Sequence, residues 1–214
     1  MKRIGKLHVL TDVVLQSRFS HSELAAMAIS GGADTIQFRQ KSGSTREMIE
    51  ACKEIKAICF KAGVTFIVND RVDVALAVEA DGVHLGQDDF PPSLARELLG
   101  KDCIIGGSAG DMCEAMKCLS DGVDYIGFGP VYTTTSKDDA GPACGINTMK
   151  EIFKKVHLPV IAIGGIDVGN VDEVMGAGAN GIAVISSVCC QEDPALATRL
   201  LYEKVYKDKA MRND

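Results

Sequence analysis

The feature that most constrains the fold is a three-residue pattern that recurs four times, each time just before an apolar segment. It reads Gly32-Ala33-Asp34, Glu79-Ala80-Asp81, Gly122-Val123-Asp124 and Gly178-Ala179-Asn180. A glycine suits the end of a helix, and an Asp or Asn side chain accepts hydrogen bonds in the turn that follows. The repeat predicts a pseudo-symmetric, closed sheet in which every second strand is introduced in the same way.

Eight short apolar runs rich in Val, Ile and Leu alternate with amphipathic segments along the chain. This alternation predicts strands joined by helices, and Ser44 with Glu47 forms a capping box at the start of one such helix. The predicted strands span residues 7–11, 35–39, 65–69, 82–85, 104–108, 125–129, 160–163 and 181–185.

A chain of 214 residues with 46% apolar composition suits one α/β domain. Eight strand–helix units predict a single-domain (β/α)8 TIM barrel over residues 1–206, followed by a polar tail, 207–214, that we expect to fray. The alternative is an open doubly wound sheet, which usually carries a G-x-G-x-x-G motif after its first strand to bind a dinucleotide. The residues at that position are Thr11-Asp12-Val13-Val14, so the barrel is favoured.

The charge and cysteine patterns exclude several functional classes. The net charge of −6 is spread along the chain, so we expect no partner among nucleic acids or membranes. No apolar run is long enough to span a bilayer, and residues 1–5 lead into a strand without a signal-peptide core. The eight cysteines contain no CxxC pair, which favours free thiols over a zinc site or disulfides. These features predict a cytoplasmic protein and leave open whether it is a homo-oligomer.

Three polar side chains alternate at the end of the second predicted strand: Gln37, Arg39 and Lys41. Alternate residues of a strand share one face, so an amide, a guanidinium and an ammonium point in the same direction. This arrangement predicts an anion site. The alternative is a solvated strand end in which the two cations only maintain solubility.

Two carboxylates follow neighbouring strands, and the active site of a barrel lies at these strand ends. Asp70 follows strand three and Asp89 follows strand four, so both can converge on one Mg²⁺, which prefers one or two protein carboxylates, waters and substrate phosphates. The alternatives are that Asp70 is the N-cap of a helix over 71–79 and that Asp89 is a turn residue. Asn69 and Ser108 end strands three and five at the same edge.

The last three strands are followed by segments suited to phosphate. The long loop after strand six contains Thr134, Ser136 and Lys137 and predicts a lid, with a flexible Ser/Thr turn as the alternative. Gly164-Gly165 after strand seven and Ile185-Ser186-Ser187 after strand eight are typical of the phosphate site of a barrel. The alternative there is a plain glycine turn and a serine cap.

The histidines do not supply an evident general base. His8 and His84 lie inside predicted strands, while His21 and His157 are expected to be peripheral. The site therefore combines two anion subsites and a metal without a dedicated base. Such a site suits the transfer of an alkyl-type group from a diphosphate to a neutral aromatic nitrogen, because that nucleophile loses no proton.

Five segments together resemble the thiamine-phosphate synthase family, and the resemblance covers nearly the whole predicted barrel. They are Gln-Phe-Arg-Gln-Lys (37–41), Val-Asn-Asp-Arg-Val-Asp-Val-Ala-Leu (68–76), Gly-Val-His-Leu-Gly-Gln-Asp-Asp (82–89), Gly-Pro-Val-Tyr with Thr-Thr-Ser-Lys (129–137), and Ala-Ile-Gly-Gly-Ile (162–166). The resemblance implies joining of hydroxymethylpyrimidine diphosphate to a thiazole phosphate with Mg²⁺, through a pyrimidine carbocation. The thiazole phosphate could be the plain or the carboxylated form.

The resemblance also implies a role for each matching residue. The pyrimidine diphosphate would contact Gln37, Phe38, Arg39, Gln40, Lys41, Asn69, Ser108 and Lys137, of which Arg39, Lys41 and Lys137 would be catalytic. Mg²⁺ would be held by Asp70 and Asp89. The thiazole phosphate would contact Thr134, Thr135, Ser136, Gly165, Ile185 and Ser186.

One position departs from the family pattern: Gly110 follows Ser108-Ala109, where the family commonly has a histidine. Three rival functions remain open at this point. The related thiazole tautomerase would not need Lys41, Asp70, Asp89 and Lys137 together, and a phosphosugar barrel would need an acid/base pair at its mouth. An inactive relative that only binds thiamine phosphates would differ from the enzyme in having no turnover.

Overall fold

The computed structural model describes residues 4–136 and 141–207. Eight parallel strands pair in chain order and close into a barrel, with Leu7 of the first strand opposite Ile182 of the last. The strands are β1 (Leu7–Thr11), β2 (Thr35–Phe38), β3 (Thr65–Asn69), β4 (Gly82–Leu85), β5 (Ile104–Ala109), β6 (Tyr125–Phe128), β7 (Val160–Ile163) and β8 (Gly181–Val184). The predicted TIM barrel is confirmed, and the open sheet is excluded. The predicted ends of β2, β5, β6 and β8 were wrong by one residue.

Helices connect the strands and cover the outside of the barrel. The capping boxes Ser20–Glu23 and Ser44–Glu47 begin the first two, the second of them as predicted. The helices are α1 (His21–Gly31), α2 (Thr45–Ala62), α3 (Val72–Ala77), α4 (Pro92–Leu99), α5 (Met112–Ser120), α6 (Gly145–Lys155), α7 (Val171–Gly176), α8 (Ser186–Cys189) and α9 (Pro194–Val205). Across the part of the chain that the structure describes, none of them is both long and apolar enough to cross a membrane.

The fourfold sequence pattern forms a repeated hydrogen bond at the amino-terminal end of the barrel. The first residue of each repeat has a positive φ, at Glu79 as well as at the three glycines. The carboxylate or amide of the third residue then accepts the main-chain N–H of the preceding strand, not of its own turn as predicted. The distances to the acceptor are 3.0 Å from Lys6 and Leu7 to Asp34, and 2.8 Å from Phe66 to Asp81, from Ile105 to Asp124 and from Val160 to Asn180.

The apolar core has two layers because successive side chains of a strand point to opposite faces. The larger layer lies between the barrel and its helices and includes Leu7, Val9 and Phe38. The smaller layer fills the barrel and includes Leu10 and Tyr125. Burial of each large side chain contributes roughly 1.5–3 kcal/mol, so the barrel is a rigid support for the loops at its carboxyl end.

The two ends of the chain are only partly described. In the predicted tail, 207–214, only Lys207 is among the described residues, and its ammonium lies 2.5 Å from the Asp172 carboxylate at the start of α7. The remainder, 208–214, and residues 1–3 lie outside them.

Candidate active site at the open end of the barrel

The carboxyl ends of the strands open into one large cavity of about 1140 Å³. Side chains predicted from separate strand ends meet on its walls. Among them are Lys41, Asn69, Asp70, Asp89, Ser108, Thr134, Thr135, Ser136, Gly165, Ile185 and Ser186. The cavity therefore brings together both predicted metal ligands, all the predicted thiazole phosphate residues and three of the predicted diphosphate residues, Lys41, Asn69 and Ser108.

The two predicted metal ligands are neighbours on one wall. Asp89 lies close enough to Asp70 to influence the pKa of its carboxyl group, and the Lys41 ammonium lies 2.6 Å from Asp70 Oδ2. Burial raises the pKa of Asp70, and the charge of Asp89 adds to the rise while Lys41 opposes it. The carboxyl groups of Asp70 and Asp89 thus lie close together, and a bound cation would offset the repulsion between their negative charges.

The local backbone holds both carboxylates in place. Asp70 has a φ of 65°, which is uncommon for a residue other than glycine, and its N–H donates to His84 O at 2.8 Å. The N-cap of α3 is Arg71, so the alternative that Asp70 caps this helix is wrong. Asp89 Oδ2 accepts the Gly86 N–H at 2.7 Å, which fixes its side chain in the β4–α4 turn.

The alternating residues of β2 lie deeper than Lys41. Gln37 is buried and lines a small cavity inside the barrel, about 20 Å³, which Ser108 also lines. Arg39 is buried and forms an ion pair with Asp12, which directly follows β1. Gln37, Arg39 and Lys41 were predicted to point in one direction, and in the structure they lie at three depths. Gln37 lies in the barrel interior, Arg39 contacts Asp12, and Lys41 lies on the cavity wall.

Two residues of the same motif point elsewhere. Phe38 packs in the layer between barrel and helices, 4.6 Å from the His21 ring, so its side chain is outside the cavity lining. Gln40 Nε2 donates to Ser42 O at 2.7 Å in the β2–α2 loop. The strand alternation that aims Gln37 inward necessarily aims Phe38 outward.

A polar chain lies below the cavity floor. His84 on β4 contacts Ser108 Oγ at 3.0 Å through Nε2 and the Tyr125 hydroxyl at 2.9 Å through Nδ1. Gly106 and Gly127 make room for the two rings, because a Cβ at either position would collide with His84. His84 was predicted to lie within a strand, and it does, but its contact with Ser108 was not predicted.

The loop after β6, which was predicted to be a lid, contacts β7 and the start of α8. The base of the loop is held to β7 by the Val131 N–H, which donates to Ile163 O at 2.9 Å, and Cys144 N–H donates to Pro130 O at 2.8 Å. Farther along, Ser136 Oγ donates to Ser186 Oγ at 2.9 Å at the start of α8. Lys137, predicted to be catalytic, lies outside the described residues.

Charge on the described cavity walls is mainly negative. The one ammonium there is Lys41, and the carboxylates are Asp70, Asp88, Asp89, Asp111, Glu114 and Asp167. A ligand rich in phosphate would be repelled by this surface unless further cations joined it. The sequence predicts three groups that would supply this positive charge: Arg39, Mg²⁺ and Lys137.

Three features were missed or misjudged from the sequence. His21 was expected to be peripheral but is buried, with Nδ1 at 2.8 Å from Thr11 Oγ1. Asp12 was not assigned a role, although it directly follows a strand, which is the criterion that identified Asp70. Glu114 lines the cavity and accepts the Gly110 N–H at 2.7 Å.

Neither a disulfide nor a cluster of three or more metal-ligating side chains is present among the described residues. All eight cysteines are free, as predicted, and Cys52, Cys59, Cys118 and Cys189 are buried. Within residues 4–136 and 141–207 no cluster of three or more His, Cys, Asp or Glu side chains could hold a metal by itself. A cation at Asp70 and Asp89 would need oxygen atoms from water or substrate, which is the usual situation for Mg²⁺.

The family model described as thiamine monophosphate synthase matches residues 7–188, nearly the whole barrel. The chain belongs to this family. It is 52% identical over 195 residues to the thiamine-phosphate synthase of Methanocella arvoryzae, with 91% of this chain and 92% of that protein covered. The prediction of a transferase in thiamine biosynthesis is thereby confirmed.

Solved structures give the same result for the fold. A thiamine phosphate pyrophosphorylase from Pyrococcus furiosus superimposes with a TM-score of 0.87 at 42% identity, covering 94% of this chain and 96% of that one. A (S)-3-O-geranylgeranylglyceryl phosphate synthase from Thermoplasma acidophilum has a TM-score of 0.71 at 16% identity, with coverage of 94% and 93%. The second likeness concerns the fold alone.

Proposed function

We propose that this thiamine-phosphate synthase family member joins 4-amino-2-methyl-5-hydroxymethylpyrimidine diphosphate to 4-methyl-5-(2-phosphoethyl)thiazole, or its carboxylated form, and releases thiamine phosphate and diphosphate. One observation carries the proposal. Lys41, Asp70 and Asp89 share a cavity with Gly165 and Ser186, which supports a proposed diphosphate subsite and a proposed monophosphate subsite that open into the same space.

The acidic wall is the proposed diphosphate subsite. Asp70 and Asp89 fit Mg²⁺, because this ion usually receives one or two carboxylates from a protein, and the part of the chain that the structure describes adds no third ligand of this kind beside them. Magnesium, when bound there, would neutralise charge that develops on the diphosphate oxygens. Lys41 is 46% exposed at its side chain, so it can leave Asp70 and contact the diphosphate. Arg39 and Lys137 are the other proposed contacts.

The pyrimidine ring is proposed to enter the barrel mouth above the small inner cavity. Gln37 Oε1 is buried there without a hydrogen-bond partner among the described residues. An unpaired buried acceptor costs about 1–3 kcal/mol, so a ligand amino group that donates to it would recover that energy. Asn69 and Ser108 stand beside this entrance and would complete the polar contacts to the ring.

The opposite wall is the proposed thiazole phosphate subsite. Gly165 has a φ of 66°, and a Cβ there would approach Thr133 O to 2.7 Å, so glycine permits the close main-chain approach. Ile185 and the hydroxyls of Ser186 and Ser136 border the same space. Thr134 and Thr135 extend it toward the lid, which would close over both substrates and exclude water.

The reaction follows from these contacts. Cations at the diphosphate oxygens stabilise the leaving group, so its bond to the pyrimidine methylene carbon breaks first. The thiazole nitrogen then attacks the resulting carbocation. The thiazole nitrogen carries no proton, so no side chain has to act as a base. Orientation of the two rings is therefore the main task of the protein.

Incubation of the protein with both phosphorylated precursors and Mg²⁺, followed by chromatography for thiamine phosphate and an assay for diphosphate, tests the proposal. We expect equal amounts of the two products, and neither when the thiazole phosphate is replaced by unphosphorylated thiazole alcohol at the same low concentration. Binding of both precursors without turnover would contradict it and would indicate an inactive relative.

The cellular location of the enzyme is proposed from its cysteines. Free thiols are typical of reducing compartments, and all eight cysteines here are free, so we propose that the enzyme works in the cytoplasm. Its partners would then be the two small phosphorylated substrates.

A further inference from the structure

Asp12 and Arg39 form a buried ion pair at the carboxyl end of the barrel, the end at which the large cavity opens. Asp12 directly follows β1 and Arg39 directly follows β2, and these strands are adjacent with Thr11 opposite Phe38. The Arg39 N–H donates to Thr11 O at 3.2 Å, which continues the ladder to this point. The barrel topology therefore places a carboxylate beside the guanidinium, and Asp12 Oδ2 accepts from Arg39 Nη1.

The carboxylate of Asp12 is itself held by the main chain. Its Oδ1 accepts the Val14 N–H at 2.8 Å and the Leu15 N–H at 3.1 Å. Its side chain is 2% exposed. One oxygen is thus fixed by the β1–α1 loop and the other contacts Arg39, so the position of the loop is transmitted to the guanidinium.

Among the described residues, Asp12 is the side chain that accepts a hydrogen bond from the Arg39 guanidinium. The Nε of Arg39 is buried and makes no hydrogen bond within the described residues, so Asp12 is the side chain that determines where its fork lies. A buried ion pair is often neutral for stability, because the cost of removing both charges from water offsets their attraction. Stability alone therefore does not account for this pair, and an orienting role does.

We propose that Asp12 is a positioning residue for the transfer reaction: it holds the Arg39 guanidinium in the orientation that meets the diphosphate of the pyrimidine substrate. The inference rests on the proposed role of Arg39. A guanidinium recognises phosphate through a rigid fork, so its orientation matters more than its charge alone. A displacement of about 1 Å of such a group lowers the rate by about 100-fold.

The test uses Asp12→Asn, which keeps an oxygen for the Val14 and Leu15 N–H groups but removes the charge that holds Arg39. The kcat/KM for the pyrimidine diphosphate is measured with saturating Mg²⁺ in wild type, Asp12→Asn, Arg39→Gln and the double variant. We expect Asp12→Asn to lower it by about 10- to 100-fold. The KM for the thiazole phosphate should change less than twofold, and Asp12→Asn should cause no further loss once Arg39 is replaced.

Asp34→Asn is the matched control. Asp34 is also buried, also accepts two main-chain N–H groups and also lies between β1 and β2, but at the opposite end of the barrel. Its replacement should lower the melting temperature and leave the kcat/KM of the folded enzyme close to that of wild type. A general loss of rigidity would instead lower kcat/KM in both Asp variants.

Three results would overturn the inference. Folded Asp12→Asn with wild-type kcat/KM would show that Arg39 needs no support, and an equal loss in the Arg39→Gln background would show that Asp12 acts independently of Arg39. Wild-type kinetics in Arg39→Gln would remove the proposed role of Arg39 and the inference with it. If Asp12→Asn does not fold, Asp12→Ser, which also keeps a short oxygen acceptor, is used in the same comparison.

Discussion

A buried histidine in the barrel should make the free energy of unfolding depend on pH between about 6.5 and 4, a window that begins above the range in which most carboxylates titrate. His8 on β1 is 1% exposed, and its Nε2 lies 3.1 Å from Gly5 O. Burial lowers the pKa of His8 to about 4, although the charge of Asp34 opposes the shift. The folded protein therefore keeps this imidazole neutral at a pH where the unfolded chain protonates it.

The size of the effect follows from the two pKa values. The unfolded pKa is 6.5 and the folded one about 4, and each unit of difference corresponds to about 1.4 kcal/mol. The unfolded state binds more protons between these values, so stability falls as pH falls through this window. Between pH 7.5 and pH 5 the loss is about 2 kcal/mol, and it reaches about 3 kcal/mol below pH 4.

Urea denaturation at pH 7.5, 6.5, 5.5 and 5.0 measures this loss as a change in the free energy of unfolding. His8→Gln keeps a donor within reach of Gly5 O but cannot be protonated, so its pH dependence should be shallower by about 2 kcal/mol over the same range. His157→Gln, at an exposed histidine, is the control and should follow wild type. If His8→Gln loses stability as steeply as wild type on acidification, the reasoning is wrong.

Further predictions concern the cavity. A Cβ in Gly106→Ala would collide with His84 and Tyr125, so this variant should lower the free energy of unfolding by about 1–3 kcal/mol. In the control, Gly110→Ala, the added Cβ meets neighbours only at 3.5 Å or more, so its free energy of unfolding should stay within about 0.5 kcal/mol of wild type. Equal losses in urea denaturation would contradict this. Asp70→Asn or Asp89→Asn should raise the Mg²⁺ concentration for half-maximal rate about tenfold or more with the circular dichroism spectrum unchanged, and unchanged Mg²⁺ titrations in both would refute the metal site. Lys137→Ala should lower kcat by about 100-fold in steady-state assays, and a rise in KM alone would exclude a role in the chemical step.

The barrel was predictable because its signals are local. Apolar runs, helix caps and the repeated pattern each depend on a few adjacent residues, and they located every strand to within one residue. The strand-end criterion then placed Asp70, Asp89 and Ser186 in one cavity, because closure of a parallel barrel brings all carboxyl ends to the same side.

The missed features depend on contacts between residues that are distant in the sequence and lie on adjacent strands. The predicted barrel already places β1 beside β2, but the pair of Asp12 with Arg39 also requires their particular register, which no local pattern specifies. Likewise, Asp34 bonds to the start of β1, 27 residues earlier, and not to its own turn. The side chain of Phe38 was assigned to the site from its motif, although strand alternation alone directs it into the helix layer.

The bonds from Asp34, Asp81, Asp124 and Asn180 divide the barrel into four equal quarters, each made of two strands and the helix between them. Each quarter is held together by this bond at its own amino-terminal edge, whereas neighbouring quarters are joined by strand ladders, by packed helices and by contacts nearer the cavity, such as that of His84 with Ser108. New chain termini should therefore be tolerated better in the connections between quarters than inside one. If the chain were divided after β4 and expressed as two fragments, each fragment would keep both of its amino-terminal side-chain hydrogen bonds.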